Sequence, residues 1–377
     1  MRYRTLPLAA SLIALFVAFA SASESFLSPR NLSMLAIELS ITAVLALGML
    51  LVLLLGLIDL SAGSGVGLVG GIASVLVFRH DLPAGLAMLI GALTAIAVWA
   101  AMGALIVRQK MPAFIITLGG LLVFKGLFWL VIRNATVPVA RGSTENALSM
   151  LTTYFLPRAA GFTLAAVAVT ALLLLRMRRR RARVAHGLSV EDRESFTLQL
   201  IVTAQAALLL LLVLDRFRGV PVSLVILGVA AAAIHTLTQH TPFGRYLYAI
   251  GDNPEAARLS GIAVEKTIVV AFAMMGVVVA LTGCLQTAYA GASTTTVGDL
   301  MELDAIAACV IGGTSLRGGR GSVAGVLFGA LIMATLLNGM TLLAVPPELK
   351  LIARGSVLVL AVWLDVTLAR RSVRQRA

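Results

Sequence analysis

The sequence predicts an all-α, polytopic membrane protein: a helical bundle of about twelve (10–12) transmembrane helices with broken or re-entrant segments. Composition and the spacing of apolar runs carry that prediction. Of 377 residues, 59% are hydrophobic and only 12% charged, whereas a soluble domain carries about a quarter charged residues. The apolar residues gather in runs of about 17–25, the helix length that spans a hydrocarbon core. The runs are rich in Leu, Ala, Val and Ile with little residual polarity, so helices are expected rather than a barrel of alternating strands. The spans fall near 6–22, 34–57, 62–79, 85–107, 112–132, 160–176, 198–214, 220–238, 264–288, 301–316, 322–345 and 350–368, within one transmembrane domain over 1–377.

The first span follows Arg2 and Arg4 and runs into Ala20-Ser-Ala22, an outline shared with cleavable signal peptides. An uncleaved helix is the favoured reading, because the later spans make a separate export signal unnecessary. The second span carries Glu38 near its outer end, as an interfacial carboxylate or as a contact with a pathway or an outside partner. Asp59 and Ser61 then interrupt an apolar run just before Gly63. Either side chain can cap the helix that follows. A carboxylate at a span boundary can also line an aqueous route, since ionisable groups inside a membrane usually face protein or water. Gly63, Gly67 and Gly71 recur every four residues, as do Gly321, Gly325 and Gly329. Each series puts small residues on one helical face and lets another helix come close.

The spans at 160–176 and 198–214 enclose an arginine-rich loop at about 177–197, whose Arg178–Arg181 cluster reads as a topology anchor touching anionic lipid. The net charge of +13 raises a nucleic-acid reading, but the distribution of charge argues against it. With the N-terminus inside, inner loops and tails hold 20 Lys and Arg and outer loops hold eight, while Lys125 and Arg354 fall within spans. This is the positive-inside pattern. It places both termini in the cytoplasm. Cys284 and Cys309 lie in apolar segments and read as small packing residues. The four His show no metal-binding spacing, and no catalytic set is assigned.

Near the C-terminus, Asp299, Glu302 and Asp304 open a span of about 16 residues, closed by Gly312-Gly-Thr-Ser315 and Gly318-Gly-Arg-Gly321. A helix of that length covers about 24 Å, less than the roughly 30 Å apolar core. It is expected to stop inside the membrane, its ends buried in protein or facing a water-filled route. Glu302 and Asp304, two residues apart, point to different faces and do not form an acid–base pair. Glu302 also suits the outer interface, stabilising a helix N-terminus. Asn338 in the next span can meet a polar solute or join two helices.

The most telling stretch is 241–262, set between two spans and expected in the cytoplasm as part of a coupling segment at about 239–263. Asn253-Pro-Glu-Ala-Ala-Arg-Leu-Ser-Gly261 reads as a helix of about two turns. Asn253 is a good N-cap, Pro254 suits the first helical position, Glu255 favours the positive end of the dipole and Gly261 can take the left-handed stop. A capped helix on a membrane surface is a handle for another protein. The chain has no nucleotide site of its own: none of Lys110, Lys125, Lys266 and Lys350 follows a Gly, so no Walker A motif exists. Glu255-Ala-Ala with Gly261 matches the start of the cytoplasmic signature of ATP-binding-cassette importer permeases. The usual Ile-x-Leu-Pro downstream is missing.

Four motifs in order extend that match. Gly56-Leu-Ile-Asp-Leu-Ser-Ala-Gly-Ser64, Met111-Pro-Ala-Phe-Ile-Ile-Thr-Leu118, the 241–262 segment and Glu302-Leu-Asp-Ala-Ile-Ala-Ala-Cys-Val-Ile-Gly-Gly-Thr-Ser315 resemble the bacterial ribose/xylose-type sugar permeases. The resemblance runs from about Asn31 to Asp365. The extra arginine-rich loop and span pair around 160–214 make it most similar to the D-xylose permease branch. Ala62 stands where Val is usual, Asp252 where Gly is usual, and Arg317 and Arg320 lie in a turn that is often less basic.

The resemblance implies monosaccharide import by alternating access in the bacterial inner membrane. Expected partners are a cytoplasmic ATPase that carries ATP and Mg, a periplasmic sugar-binding protein and a second permease subunit in a homodimer. This chain binds no cofactor and is no enzyme in that reading. The residues expected to couple to the ATPase are Gly244, Arg245, Asn253, Glu255, Ala256, Ala257, Arg258 and Gly261. The residues expected along the translocation pathway are Glu38, Asp59, Ser61, Glu302, Asp304 and Asn338. Only 6% of residues are aromatic, so weak sugar affinity is expected, with selection left to the binding protein.

Two other classes stay open at this stage. An ion-coupled secondary sugar transporter would use Asp59, Glu302 and Asp304 as ion ligands, but leaves the 253–261 helix without a purpose. An intramembrane enzyme would need Ser64 and His235 together, and no spacing joins them.

Overall fold

A computed structural model describes residues 2–142, 144–187 and 192–374. In chain order the elements are α1 (Arg2–Ala22), α2 (Pro29–Leu54), α3 (Ala62–Phe78), α4 (Ala84–Gln109), α5 (Ala113–Ile132), β1 (Val137–Pro138), α6 (Met150–Thr153), α7 (Arg158–Ala185), α8 (Arg193–Asp215) and α9 (Val222–His240). They continue with α10 (Pro242–Asp252), α11 (Pro254–Leu259), α12 (Val264–Ala290), β2 (Ala292–Ser293), α13 (Met301–Ile311), α14 (Val323–Leu342) and α15 (Pro347–Arg374). Each of the twelve expected spans coincides with a helix. Among the described residues, eight helices are long and apolar enough to cross a membrane: α2, α4, α5, α7, α8, α9, α12 and α14.

Three expectations need correction. The arginine-rich stretch at 177–197 is helical as far as Ala185 and again from Arg193. Arg is a good helix former, and cations at a helix C-terminus suit its dipole. Residues 188–191 of that stretch, and the last of the C-terminal arginines, Arg376, lie outside the described residues. The span expected over 301–316 is helical only to Ile311. The 241–262 stretch holds two helices, not one.

α2 is the axial helix. From Ala43 to Leu54 its side chains are almost wholly buried, against α12, α14, α13 and α9. A helix that is apolar all round belongs inside a bundle, and this one is there. α12 packs along α4, α3 and α2.

The bundle has two recognisable ends. At one, β1 pairs antiparallel with β2, Val137 opposite Ser293. Arg141 there reaches Asp81 at 2.7 Å, and an Arg79 guanidinium N–H donates to the Ile132 carbonyl at 2.9 Å. At the other end α10, which leads into α11, lies beside the C-terminus of α2 and the 312–322 turn.

Two crossings between these ends are built partly from non-helical chain and partly from helix. After α2 stops at Leu54, residues 55–61 climb back into the bundle before α3 begins. After α12, residues 291–300 descend from the β2 end before α13 completes the passage in 11 residues, about 17 Å. Non-helical backbone at this depth is tolerated only where protein or water serves its polar groups. Here side chains do so. Thr117 donates its hydroxyl to the Ile58 carbonyl at 3.1 Å, and the Thr295 carbonyl accepts from Lys125 at 2.9 Å and Trp129 at 3.2 Å.

Candidate functional site

The two broken crossings meet at the starts of their helices. Gly63, in the first turn of α3, faces the Gly298 carbonyl and the Glu302 carboxylate so closely that an added Cβ would collide with both. The glycine series on α3 continues this contact: Gly67 meets Phe128 and the Val297 carbonyl, and Gly71 meets Phe128 and Ile132. On α14, Gly325 meets the Gly312 carbonyl and Gly329 the Ala308 carbonyl. Both glycine series therefore sit where another backbone or a large ring comes close, as their spacing predicts.

Asp59 is fully buried beside this junction. Its Oδ1 accepts from the Ser61 N–H at 2.9 Å and the Ser61 hydroxyl at 2.5 Å, and its Oδ2 accepts from the Trp99 indole N–H at 2.7 Å. The capping expectation is corrected here. Ser61 occupies the N-cap position of α3, yet its side chain makes no capping bond. Asp59 instead bonds Ser61 within the same connection and reaches Trp99 of α4. Trp99, itself 1% exposed, lies on Gly65; no local signal in the sequence marks it.

Glu302 and Asp304 are both buried in the first turn of α13. They point apart, as their two-residue spacing predicts: Glu302 toward Gly63 of α3, Asp304 toward Arg354 of α15, whose Nε stands 3.5 Å away. Glu302 therefore lies at the junction inside the bundle, not at an outer interface.

Glu38 and Asn338 form a second polar set. The Asn338 amide donates to Glu38 Oε2 at 3.1 Å and accepts from Asn31 at 3.0 Å, while the Tyr289 hydroxyl donates to Glu38 Oε1 at 2.6 Å. This set ties α2, α12 and α14 together. Tyr289 and Asn31 were not among the expected residues. Cys284 and Cys309 are free and buried, the latter donating its thiol to the Ala46 carbonyl at 3.2 Å.

At the opposite end, the 241–262 stretch is a pair of capped helices. Thr241 caps α10, accepting from the Gly244 N–H at 3.2 Å, with Pro242 in the first turn. Asn253 caps α11, its Oδ1 accepting from Glu255 N and Ala256 N at 3.0 Å each, with Pro254 in the first turn. Gly261 closes the pair at φ +82°, the left-handed region that favours glycine.

The two helices present different faces. α10 buries Gly244, Leu247 and Ile250 against the bundle. Its Tyr248 hydroxyl donates to the Gly321 carbonyl at 2.9 Å and accepts from Gln239 at 3.0 Å. Half-burial raises the Tyr248 phenol above its ordinary value, with the Gln239 bond opposing. α11 buries Ala257 alone. Arg245, Asn253, Glu255, Ala256, Arg258 and Gly261 are exposed, and Leu259 is 91% exposed. Arg258 pairs with Glu265 at 2.5 Å. Of the eight residues expected at the dock, Gly244 and Ala257 thus serve the fold and six face outward.

Residues 31–362 match the family described as "Branched-chain amino acid transport system / permease component". The chain belongs to this family. The permease is 38% identical over 364 residues to the xylose transport system permease protein XylH of Escherichia coli (strain K12), covering 96% of this chain and 92% of that one. It is 40% identical over 359 residues to the protein of the same description from Haemophilus influenzae, covering 94% of each. The ribose import permease protein RbsC of Escherichia coli (strain K12) is 33% identical over 358 residues, covering 94% of this chain and 92% of that one. No solved structure matches the chain. The permease is a multi-pass membrane protein, and its work is transport.

Proposed function

We propose that this permease is the membrane subunit of an ATP-binding-cassette importer for a monosaccharide, D-xylose in the first instance, working by alternating access. The observation that carries this reading is the α10–α11 pair. One helix is fastened to the bundle through Leu247, Ile250 and Tyr248, and the next is capped and exposed with Leu259 projecting. A projecting apolar side chain on a short capped helix suits a partner's groove. A separate ATPase, carrying ATP and Mg, would grip α11 and move α10. The names of the relatives over almost the whole chain support xylose as cargo, with ribose the next choice. The single domain, the two copies in a homodimer, the periplasmic binding protein, the inner membrane and the cytoplasmic termini all belong to this proposal. The positive-inside asymmetry supports the orientation.

The test is labelled-pentose uptake into vesicles holding the permease, its ATPase and its binding protein. Uptake should require ATP and should exceed that of ribose. Replacing Glu255 with Lys, or Leu259 with Asp, should abolish uptake or uncouple it from ATP hydrolysis while the permease stays folded. Normal uptake by both variants, or uptake by the permease alone in an ion gradient, would refute the assignment.

A further inference from the structure

We infer that Trp129, Lys125 and Asp299, with the Thr294–Thr296 hydroxyl pair, form a low-affinity saccharide subsite at the β1–β2 end of the bundle. The inference rests on the sugar-import reading above and adds the residues that would meet the sugar. Trp129 and Lys125 stand four residues apart on α5 and so share a helical face. Lys125 forms an ion pair with Asp299, its ammonium 5.5 Å from the Trp129 ring centroid. The Lys125 ammonium and the Trp129 indole N–H both donate to the Thr295 carbonyl. The hydroxyls of Thr294 and Thr296 lie 3.2 Å apart on the same segment.

An aromatic at the end of a membrane helix ordinarily belongs to an interfacial belt, its N–H turned out toward headgroups. Trp129 does the reverse. Its N–H is held by the 294–300 segment while the side chain is 42% exposed. An ammonium within an apolar helix is costly against lipid and marks protein or an aqueous passage. Lys125 points to Asp299, whose side chain remains 46% exposed. Exposed indole surface, an ammonium–carboxylate pair without net charge, and an exposed pair of hydroxyls bonded to each other are the groups that hold a neutral polyol ring: stacking on its C–H face and hydrogen bonds to its edge. The same segment leads into Glu302 at the junction with α3, so a sugar held here would stand at the head of the broken crossing.

The test uses the permease with its ATPase, without binding protein. Tryptophan emission is followed while D-xylose is added, with glycerol at equal osmolality as the control. The expected result is a saturable change at roughly millimolar sugar, absent in Trp129→Phe and shifted about tenfold to weaker binding in Asp299→Asn. No saturable change in the unsubstituted protein, an equal change with glycerol, or an undiminished change in Trp129→Phe overturns the subsite. If the same preparation, given binding protein and ATP, still imports xylose, only the subsite falls. If it imports no pentose, the import reading falls too.

Discussion

Gly319 donates its backbone N–H to the Leu54 carbonyl at 3.0 Å, and Gly251 of α10 lies directly against both. Three chain segments that are far apart in sequence therefore touch backbone to backbone: the end of α2, the last turn of α10 and the turn between α13 and α14. A Cβ on Gly251 would stand 3.0 Å from the Leu54 carbonyl carbon and closer still to its oxygen. Backbone cannot yield as a side chain tip can, and overpacking of this kind costs about 1–3 kcal/mol. Gly251→Ala is expected to lower the melting temperature of the purified permease. It should also reduce sugar-stimulated ATP hydrolysis by the assembled transporter, because α10 could no longer sit on α2. Unchanged values of both would show that this contact does not join the exposed helix pair to the bundle.

Asp59 is held by Trp99, and the effect of losing that partner can be stated. Trp99→Phe removes the indole N–H while keeping most of the ring volume against Gly65. The carboxylate would then be buried with one oxygen unserved, at a cost of about 1–3 kcal/mol. Trp99→Phe should therefore destabilise the protein, and Asp59→Asn combined with it should recover part of the loss. Thermal unfolding of the two single variants and the double variant in one detergent would measure this. Simple additivity of the two changes would argue against the bond.

Asn338 stands in a bonded set with Glu38, Asn31 and Tyr289, which favours helix joining over contact with cargo. Asn338→Ala is expected to lower thermal stability by about 1–2 kcal/mol, with a coupling energy of about 0.5–2 kcal/mol to Glu38→Gln. Xylose transport per folded permease should hardly change. A normal melting temperature with lost transport would instead assign Asn338 to the pathway.

Much of the bundle was legible because membrane spans declare themselves by length and composition alone. The stop at Gly261 and the cap at Asn253 were legible because each rests on neighbours within three residues. α10 was missed although Thr241-Pro242 carries the same signal as Asn253-Pro254. Its buried positions 244, 247 and 250 follow helical spacing, but they are few and lie among polar residues, so the segment resembled a connection. The partners of the acidic residues were beyond reach. Trp99 is 40 residues from Asp59, and Asn338 is 300 residues from Glu38. Which residues meet depends on how each helix is turned about its axis, and a run that is apolar all round, like that of α2, records no preferred face. The broken crossings were half legible. The short span at 301–316 indicated one, while Asp59 and Ser61 were equally consistent with a helix cap.

Asp304 and Arg354 form the last testable pair. Their separation of 3.5 Å, with the carboxylate side chain 8% exposed and the arginine 26%, describes an ion pair largely withdrawn from water between α13 and α15. Removing one partner from such a pair leaves an uncompensated charge and costs about 3 kcal/mol, whereas replacing both with neutral groups costs much less. Arg354→Met should thus be strongly destabilising, and Arg354→Met with Asp304→Asn should be nearer to the original protein. If the double variant is as unstable as the single one, the pair is not what secures α13 to α15. Should Asp304→Asn keep full stability but lose xylose uptake, the carboxylate would belong to the transport route beside the broken crossing.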